Sequence, residues 1–450
     1  MIPLRLGDIR SATLVHGNPD VAITGLVADS RLAVTGSLFA CLSGSRADGH
    51  DFIGDAGRRG AAAVLCAPGR APRAGPLAAL ESADPLATLA EIGRLVRARA
   101  RARVIGVAGS AGKTTVKDVL HALLERHLPT VASRASHNNE LGVPLTLALL
   151  EPDTAACVCE LGTGAPGELA ALCATAQPDI GVLTAIGPEH LEYFGRIEDV
   201  AAEEAALLAA LPSAAPVVIP FGEPLLEPYR RNDLDEWRFG LDRDADVHLL
   251  AWRPRATGTE VALAVRGRRV ELTTSLRLPH HRLSFAAAAA VYAAVGLPLD
   301  RIGEGAGAIA LSPWRGQEQR LRRGALLIND AYNANPLSVR AALEALAARR
   351  NGGRTIAVLG PMAELGPEAR RWHVLAGRQA GELGVDLLVA IGPGARGYLD
   401  GATGRTACVW FPDLDSSVAS LRSLLRHDDV VLVKGSRTAG LERLAEALGR

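Results

Sequence analysis

The sequence predicts an α/β protein of three domains, with a central P-loop parallel sheet flanked by a small N-terminal α/β domain and a C-terminal Rossmann-like domain. Three observations carry that expectation. The chain has 450 residues, about three times the length that one hydrophobic core usually organises. Short apolar runs rich in β-branched residues alternate with helical stretches, as in parallel sheets covered by helices. One of those runs, Val104-Ile105-Gly106-Val107-Ala108, stops at a glycine-rich turn that opens a helix, the context of a phosphate-binding loop.

The elements follow in order. Residues 1–83 alternate apolar runs (Ile23 to Ala28, Ser37 to Leu42, Ala61 to Cys66) with turn-rich stretches, which reads as a small α/β domain. A polar linker and an arginine-bearing helix, Leu89 to Arg103, open a second domain, 84–312. Its strands are expected at 104–108, Ala156 to Glu160, Asp179 to Ile186 and Val217 to Ile219, in a mainly parallel sheet. The alanine-rich run Leu283 to Leu299 is just short of a membrane span and reads as a buried helix. Pro313 and the arginine-rich stretch to Arg323 mark the last boundary. From 313 to 450, Ala325 to Asn329, Thr355 to Leu359, Asp386 to Ile391 and Val430 to Val433 alternate with helices, as in a smaller doubly wound domain.

Composition narrows the class. Hydrophobic residues make up 48% and charged residues 22%, which supports packed cores rather than disorder. Lys plus Arg and Asp plus Glu both number 49, so no global field favours nucleic acid or an anionic membrane. Met1-Ile2-Pro3-Leu4-Arg5 does not read as a secretory leader, and neither nucleic-acid binding nor membrane insertion is expected. Six cysteines, at 41, 66, 157, 159, 173 and 408, form no Cys-x-x-Cys pair. They are expected as buried reduced thiols in a cytoplasmic protein, and a monomer is expected.

The chemistry gathers at Gly109-Ser110-Ala111-Gly112-Lys113-Thr114-Thr115. Glycines let backbone N–H groups turn toward phosphate oxygens, and the following helix adds its N-terminal partial charge. Lys113 would reach the terminal phosphates of ATP and Thr114 would offer a hydroxyl to magnesium. A plain glycine turn with a solvated lysine is the bland alternative, and the strand before and helix after argue against it. Glu160 and His190 both follow strand ends on the loop's side of the sheet, where open α/β sheets bind ligands. An oxygen ligand and an imidazole there would hold magnesium against a triphosphate. Glu203 or Glu204 is a further carboxylate candidate, with helix-dipole placement as its ordinary alternative.

These residues resemble the Mur ligases, within them the branch that adds D-alanyl-D-alanine to a UDP-linked muramoyl tripeptide. Asp29-Ser30-Arg31, Gly36-Ser37-Leu38-Phe39 and Asp48-Gly49-His50-Asp51-Phe52 look like the signature of the UDP-binding domain. The compact phosphate loop, His137-Asn138-Asn139-Glu140-Leu141-Gly142-Val143-Pro144, Glu160 and His190-Leu191-Glu192 fall in the family's order. Asp330-Ala331-Tyr332-Asn333-Ala334-Asn335-Pro336, Val358 to Gly366 and Val433-Lys434-Gly435-Ser436-Arg437 match its last domain, and the Asp-Asn-Pro-Arg motif of the sister ligase that adds the third amino acid is absent. The resemblance implies ATP and Mg2+, a carboxylate activated as an acyl phosphate, and attack by the amine of D-Ala-D-Ala. It implies Ser30, Arg31, Asp48, Gly49 and His50 at the UDP precursor, Asp330 and Asn333 at the nucleotide, and Lys434, Ser436 and Arg437 at peptide or dipeptide. Another amine substrate, or a non-catalytic precursor-binding scaffold, are the alternatives.

The chain departs from the family pattern at four places. Glu204 stands where the family usually has a carbamylated lysine, and would serve as a magnesium ligand of the same charge. Pro220-Phe221-Gly222-Glu223 replaces a stretch that touches adenosine, Gln317 replaces an arginine that faces the nucleotide, and Arg282 replaces an asparagine.

Overall fold

A computed structural model describes residues 1–44, 47–71, 77–350 and 352–449. Beside a short antiparallel pair, Leu4–Arg5 with Ala22–Ile23, three larger sheets succeed one another along the described residues. The first runs in the order Thr13–His16, Ala78–Glu81, Ala63–Cys66, Ser37–Ala40, Gly25–Val27, parallel except for its first strand. Ser37–Ala40 and Ala63–Cys66 are buried along their whole length, which is why they read as continuous apolar runs.

The helix Pro85–Arg99 starts four residues before the sequence suggested. Asp84 caps it by accepting the Ala87 N–H at 3.0 Å, and Pro85 takes the first position, where no donor is needed. It ends at Arg99, because residues from Arg103 onward already belong to the strand Arg103–Ala108.

The middle sheet orders Thr130–Ala132, Ala156–Glu160, Arg103–Ala108, Ile180–Leu183, Pro216–Pro220, Asp235–Gly240 and Val247–Arg255 in parallel, then turns antiparallel through Gly258–Val265 and Arg268–Thr274. The antiparallel end was not expected. It is made by two two-residue turns, Ala256-Thr257 and then Arg266-Gly267, the latter pair both at positive φ as suits a hairpin whose twist matches its strands. The alanine run forms the buried helix His281–Ala294. It packs with the helix Lys113–Leu124 on the face of the sheet opposite the helices Pro85–Arg99 and Glu168–Ala176.

The last sheet runs Gln317–Arg320, Leu326–Asn329, Val430–Lys434, Thr355–Leu359, Leu387–Ile391, Ala407–Phe411, parallel apart from its first edge. Cys41, Cys66, Cys157, Cys159 and Cys173 are buried and unbridged, whereas Cys408 is exposed near the edge of this sheet, contrary to expectation. Among the described residues no helix is long and apolar enough to cross a membrane.

Candidate active site

The glycine loop joins the strand Arg103–Ala108 to the helix Lys113–Leu124. Gly109 and Gly112 have φ of +119° and +90°, a region that strains any side chain. A Cβ on Gly109 would also lie 2.8 Å from the Thr184 backbone nitrogen. Ser110 fastens the loop to the next segment, its Oγ accepting the Gly187 N–H at 3.0 Å while its own N–H donates to Ala185 O at 2.7 Å. Thr115 is buried at the start of the helix and faces a second cavity described below.

Lys113 folds back on the loop, donating to the Gly109 carbonyl oxygen, and its ammonium stands 3.7 Å from Glu189 Oε1. Burial opposes its charge, but Glu189, Glu204 and Glu160 outweigh burial and hold the Lys113 pKa above its ordinary value. Burial pushes Glu189 up to about 8 and Glu204 up to about 7, with Lys113 pulling both down. One ammonium does not keep several buried carboxylates fully ionised.

Glu160 ends its strand with 1% exposure. Its Oε1 accepts from Thr114 Oγ1 at 3.1 Å and from Asn138 Nδ2 at 2.9 Å, while Oε2 is buried with no partner. An unsatisfied buried carboxylate oxygen is costly, and a hard cation beside the Thr114 hydroxyl would satisfy it. Among the described residues no group of three or more His, Cys, Asp or Glu forms a metal cage. Magnesium commonly takes one or two carboxylates plus phosphate oxygens and waters, so Thr114 and Glu160 fit that ion.

His190 has φ +50° and precedes the short helix Leu191–Phe194. Its Nδ1 lies 2.5 Å from Glu364 Oε2, which the C-terminal domain supplies. Burial lowers the His190 pKa in spite of Glu364. Glu204 takes a different place from the one expected of a metal ligand: it lies fully buried under the loop, accepting the Gly109 N–H on Oε2 at 2.6 Å. Glu203 accepts from Gly167 N at 2.8 Å and Leu169 N at 2.7 Å, and so shapes the start of the earlier helix Glu168–Ala176.

The C-terminal domain closes the cleft. Asn335 Nδ2 donates to Ser110 O at 2.9 Å, and Glu192 N donates to Glu364 O at 3.0 Å. The enclosed space of about 390 Å³ is faced by Lys113, Thr114, Glu160, Glu189 and His190 from one side and by Asn333, Ser436 and Arg437 from the other. That volume suits a small-molecule site. A second cavity of about 260 Å³ adjoins the helix start and is lined by Thr115, Phe239, His281, Asp330 and Lys434 among others.

Lys434 lies in that second cavity and not in the cleft. Its Nζ donates to Asp330 Oδ2 at 2.6 Å and Asn333 O at 2.9 Å, and burial lowers its pKa against the pull of Asp330. Ser436 Oγ accepts the Ala363 N–H at 2.8 Å, and Arg437 stacks over Trp314 at 4.5 Å.

In the N-terminal domain, Ser30 Oγ donates to Asp55 Oδ2 at 2.9 Å, and exposed Arg31 pairs with Asp29 at 2.7 Å. His50 is buried with Nδ1 2.5 Å from Asp48 Oδ1, while Nε2 accepts the Ala67 N–H at 3.0 Å, so neither nitrogen is left for a ligand. Gly49 sits so close to Leu42 that a Cβ would meet its backbone nitrogen at 2.7 Å. The nearby groove, of about 510 Å³, is walled by Leu26 to Asp29, Leu32 and Arg134 with His137 to Asn139. Ser30, Arg31, Asp48, Gly49 and His50 do not line it.

Sequence reasoning did not single out Glu189, Asn335, Arg315 or Glu364 as site residues. Glu189 adjoins His190, and Asn335-Pro336 is a helix-start signal, so both had a trace in the sequence. The departing residues turn to local backbone: Gln317 Oε1 accepts from Trp314 N at 3.1 Å, Arg282 Nε donates to Pro279 O at 2.8 Å and Glu223 accepts from Leu225 N at 3.2 Å.

Three family models cover most of the chain: the Mur ligase family catalytic domain at residues 22–111, the Mur ligase middle domain at 107–293, and the Mur ligase glutamate ligase domain at 314–437. The chain belongs to the Mur ligase family. Its relatives include UDP-N-acetylmuramoyl-tripeptide--D-alanyl-D-alanine ligases of Mycobacterium bovis, 36% identical over 95% of this chain and 92% of that one, and of Escherichia coli, 30% identical over 95% and 94%. Among solved structures, MurF from Acinetobacter baumannii superposes with a TM-score of 0.84 at 27% identity, covering 96% of this chain and 94% of that one. MurF ligase from Thermotoga maritima in complex with ADP gives 0.80 at 26%, covering 94% and 97%. This Mur ligase thus shares the family's fold across all three domains.

Proposed function

We propose that the chain is an ATP-dependent amide ligase that joins D-alanyl-D-alanine to the terminal carboxylate of UDP-N-acetylmuramoyl-tripeptide in peptidoglycan precursor synthesis, releasing ADP and phosphate. The observation that carries this reading is the single cleft in which Lys113, Thr114, Glu160 and His190 face Asn333, Ser436 and Arg437. The full-length likeness to ligases of that name supports the choice of substrates.

A carboxylate oxygen attacks the terminal phosphorus of ATP, ADP departs, and the acyl phosphate then loses phosphate when the dipeptide amine attacks its carbonyl carbon. Backbone N–H groups of Gly109 to Thr114 and the Lys113 ammonium bind phosphate oxygens and stabilise the charge that moves with the phosphoryl group. Thr114 and Glu160 would hold magnesium, with His190 lining the same side of the cleft. The bound ion supplies charge neutralisation at the phosphates and the activated carboxylate. Asn335 and Glu364 keep the C-terminal domain over the loop, which excludes water from the acyl phosphate. Asp330 and Asn333, ordered from inside by Lys434, approach the nucleotide, and Ser436 with Arg437 receive the peptide ends. The UDP end of the precursor takes the groove beside Asp29.

The domains are assigned as 1–83, 84–312 and 313–450. The protein works as a cytoplasmic monomer without nucleic-acid partners, a reading supported by its nucleotide substrates and balanced charge. The test is phosphate release by the purified protein. It should require both UDP-muramoyl-tripeptide and D-Ala-D-Ala. Release with a different amine would support a related carboxylate-amine ligase, and binding of precursor without turnover would support a scaffold.

A further inference from the structure

Glu160, Glu168, Glu189 and Glu364 are the carboxylates that line the cleft among the described residues. The first three come from the middle domain and serve it: Glu160 accepts from Thr114 and Asn138, Glu189 faces Lys113, and Glu168 accepts from the Gly164 and Ala165 N–H groups. Glu364 alone comes from the C-terminal domain. Its side chain is half exposed, Oε2 stands 2.5 Å from His190 Nδ1, and Oε1 has no partner among the described residues. Domain closure does not depend on that free oxygen, because the Glu364 backbone carbonyl already accepts the Glu192 N–H at 3.0 Å.

The turn that carries Glu364 is strained and firmly held. Glu364 has φ +61°, a conformation that costs a side-chain-bearing residue free energy and persists only where its surroundings impose it. Here Tyr398 Oη donates to Gly360 O at 3.1 Å, Nε2 of the buried His373 accepts the Met362 N–H at 2.9 Å, and Ser436 Oγ accepts the Ala363 N–H at 2.8 Å. The last of these bonds joins the turn of Glu364 to that of Arg437. The C-terminal domain thus offers the cleft a carboxylate and a guanidinium from two adjoining turns.

ATP and the carboxylate to be activated are anions, and the phosphate loop meets them. The remaining substrate, a dipeptide with a free amino terminus, is a zwitterion in water, with an ammonium at one end and a carboxylate at the other. A carboxylate with a free oxygen gives an ammonium a charge-assisted hydrogen bond, stronger than any neutral acceptor offers. We propose that Glu364 binds the ammonium of the incoming dipeptide, with Arg437 of the adjoining turn taking its carboxylate end. The two opposite charges then fix which end of the dipeptide is presented to the acyl carbon. This rests on the ligase reading above. The precursor has its own entry, the groove beside Asp29 that meets the cleft at Asn138 and Asn139 on the middle-domain side, which leaves the C-terminal face to the amine.

The test separates recognition of charge from bracing of the cleft. Steady-state kinetics of the full chain give KM for ATP, UDP-muramoyl-tripeptide and D-Ala-D-Ala, and the inhibition constant of N-propionyl-D-alanine, which is the dipeptide with hydrogen in place of its ammonium. In Glu364→Gln the KM for D-Ala-D-Ala should rise at least about tenfold, while the inhibition constant of the propionyl compound and the other two KM values stay within about threefold. Glu364→Asp, which keeps the charge on a shorter arm, should fall between. Equal weakening of the dipeptide and the propionyl compound would mean that Glu364 only braces the closed cleft. A rise confined to the precursor would give Glu364 to an amine on the tripeptide, and no change would remove it from the site; each of these results overturns the proposal. Should Glu364→Gln fail to fold, Glu364→Asp decides by the same comparison, its loss falling on the dipeptide and not on the propionyl compound. A parent that joins a different amine would sink the choice of dipeptide and leave Glu364 to be judged with that amine and its deaminated analogue. A parent that forms no amide bond would sink the ligase reading and this one with it.

Discussion

At the scale of single residues, the loop is governed by how one ammonium is shared among Glu160, Glu189 and Glu204. Glu204 anchors the Gly109 N–H and adds negative charge beneath Lys113. It stands where the family resemblance implies a lysine that must take up carbon dioxide, and a carboxylate needs no such modification. Turnover should therefore be the same in carbon-dioxide-free buffer and with added bicarbonate. Loss of activity on degassing that bicarbonate restores would refute this role. Lys113, Thr114, Glu160 and His190 were legible in the sequence because each combines a reactive side chain with a strand end or helix start. His50 and Lys434 spend their polar atoms on the protein itself, which the sequence did not show for a common reason. The sequence shows a residue's chemistry but not the neighbour that consumes it, here Asp48 with the Ala67 N–H in one case and Asp330 in the other. Arg315 and Asn335 act on loop residues about 200 positions away in the chain, a proximity that only the tertiary fold creates.

At the scale of elements, close backbone packing sets limits that composition hides. The helix Ala369–Glu382 crosses the short helix Gly397–Gly401 where Gly377 faces the Tyr398 carbonyl and Gly401 faces the Val374 carbonyl. A methyl at either glycine would collide with backbone, which has no rotamer to give. Gly377→Ala should destabilise the C-terminal domain by about 1–3 kcal/mol, whereas Gly307→Ala, with open space around it, should stay within about 1 kcal/mol of the parent. Thermal unfolding of both variants checks this, and equal midpoints would contradict it. The parallel strands were legible because burial on both faces makes them continuous apolar runs. The strands Val247–Arg255, Gly258–Val265 and Arg268–Thr274 were not, because each exposes part of its length to solvent and neither of their turns, Ala256-Thr257 and Arg266-Gly267, has the usual asparagine or aspartate.

At the scale of the molecule, the middle and C-terminal domains meet through Asn335, Glu364 and a buried histidine. His281 is 3% exposed, and burial, with His280 beside it, pushes its pKa well below the usual value while Asp330 pulls weakly the other way. The unfolded chain therefore binds a proton that the folded one refuses once the pH drops below about 6.5. Stability from this group is present above that pH and is lost as pH falls below it. His281→Gln should flatten the decline of the urea midpoint below that pH; an unchanged decline would contradict it.

The central claim is that this cleft activates a carboxyl group as an acyl phosphate. The most direct measurement uses UDP-muramoyl-tripeptide labelled with oxygen-18 in its terminal carboxylate, with ATP, magnesium and D-Ala-D-Ala. If a carboxylate oxygen attacks phosphorus, the phosphate released carries one labelled oxygen for each amide bond formed. Phosphate free of label, alongside amide formation, would contradict the account.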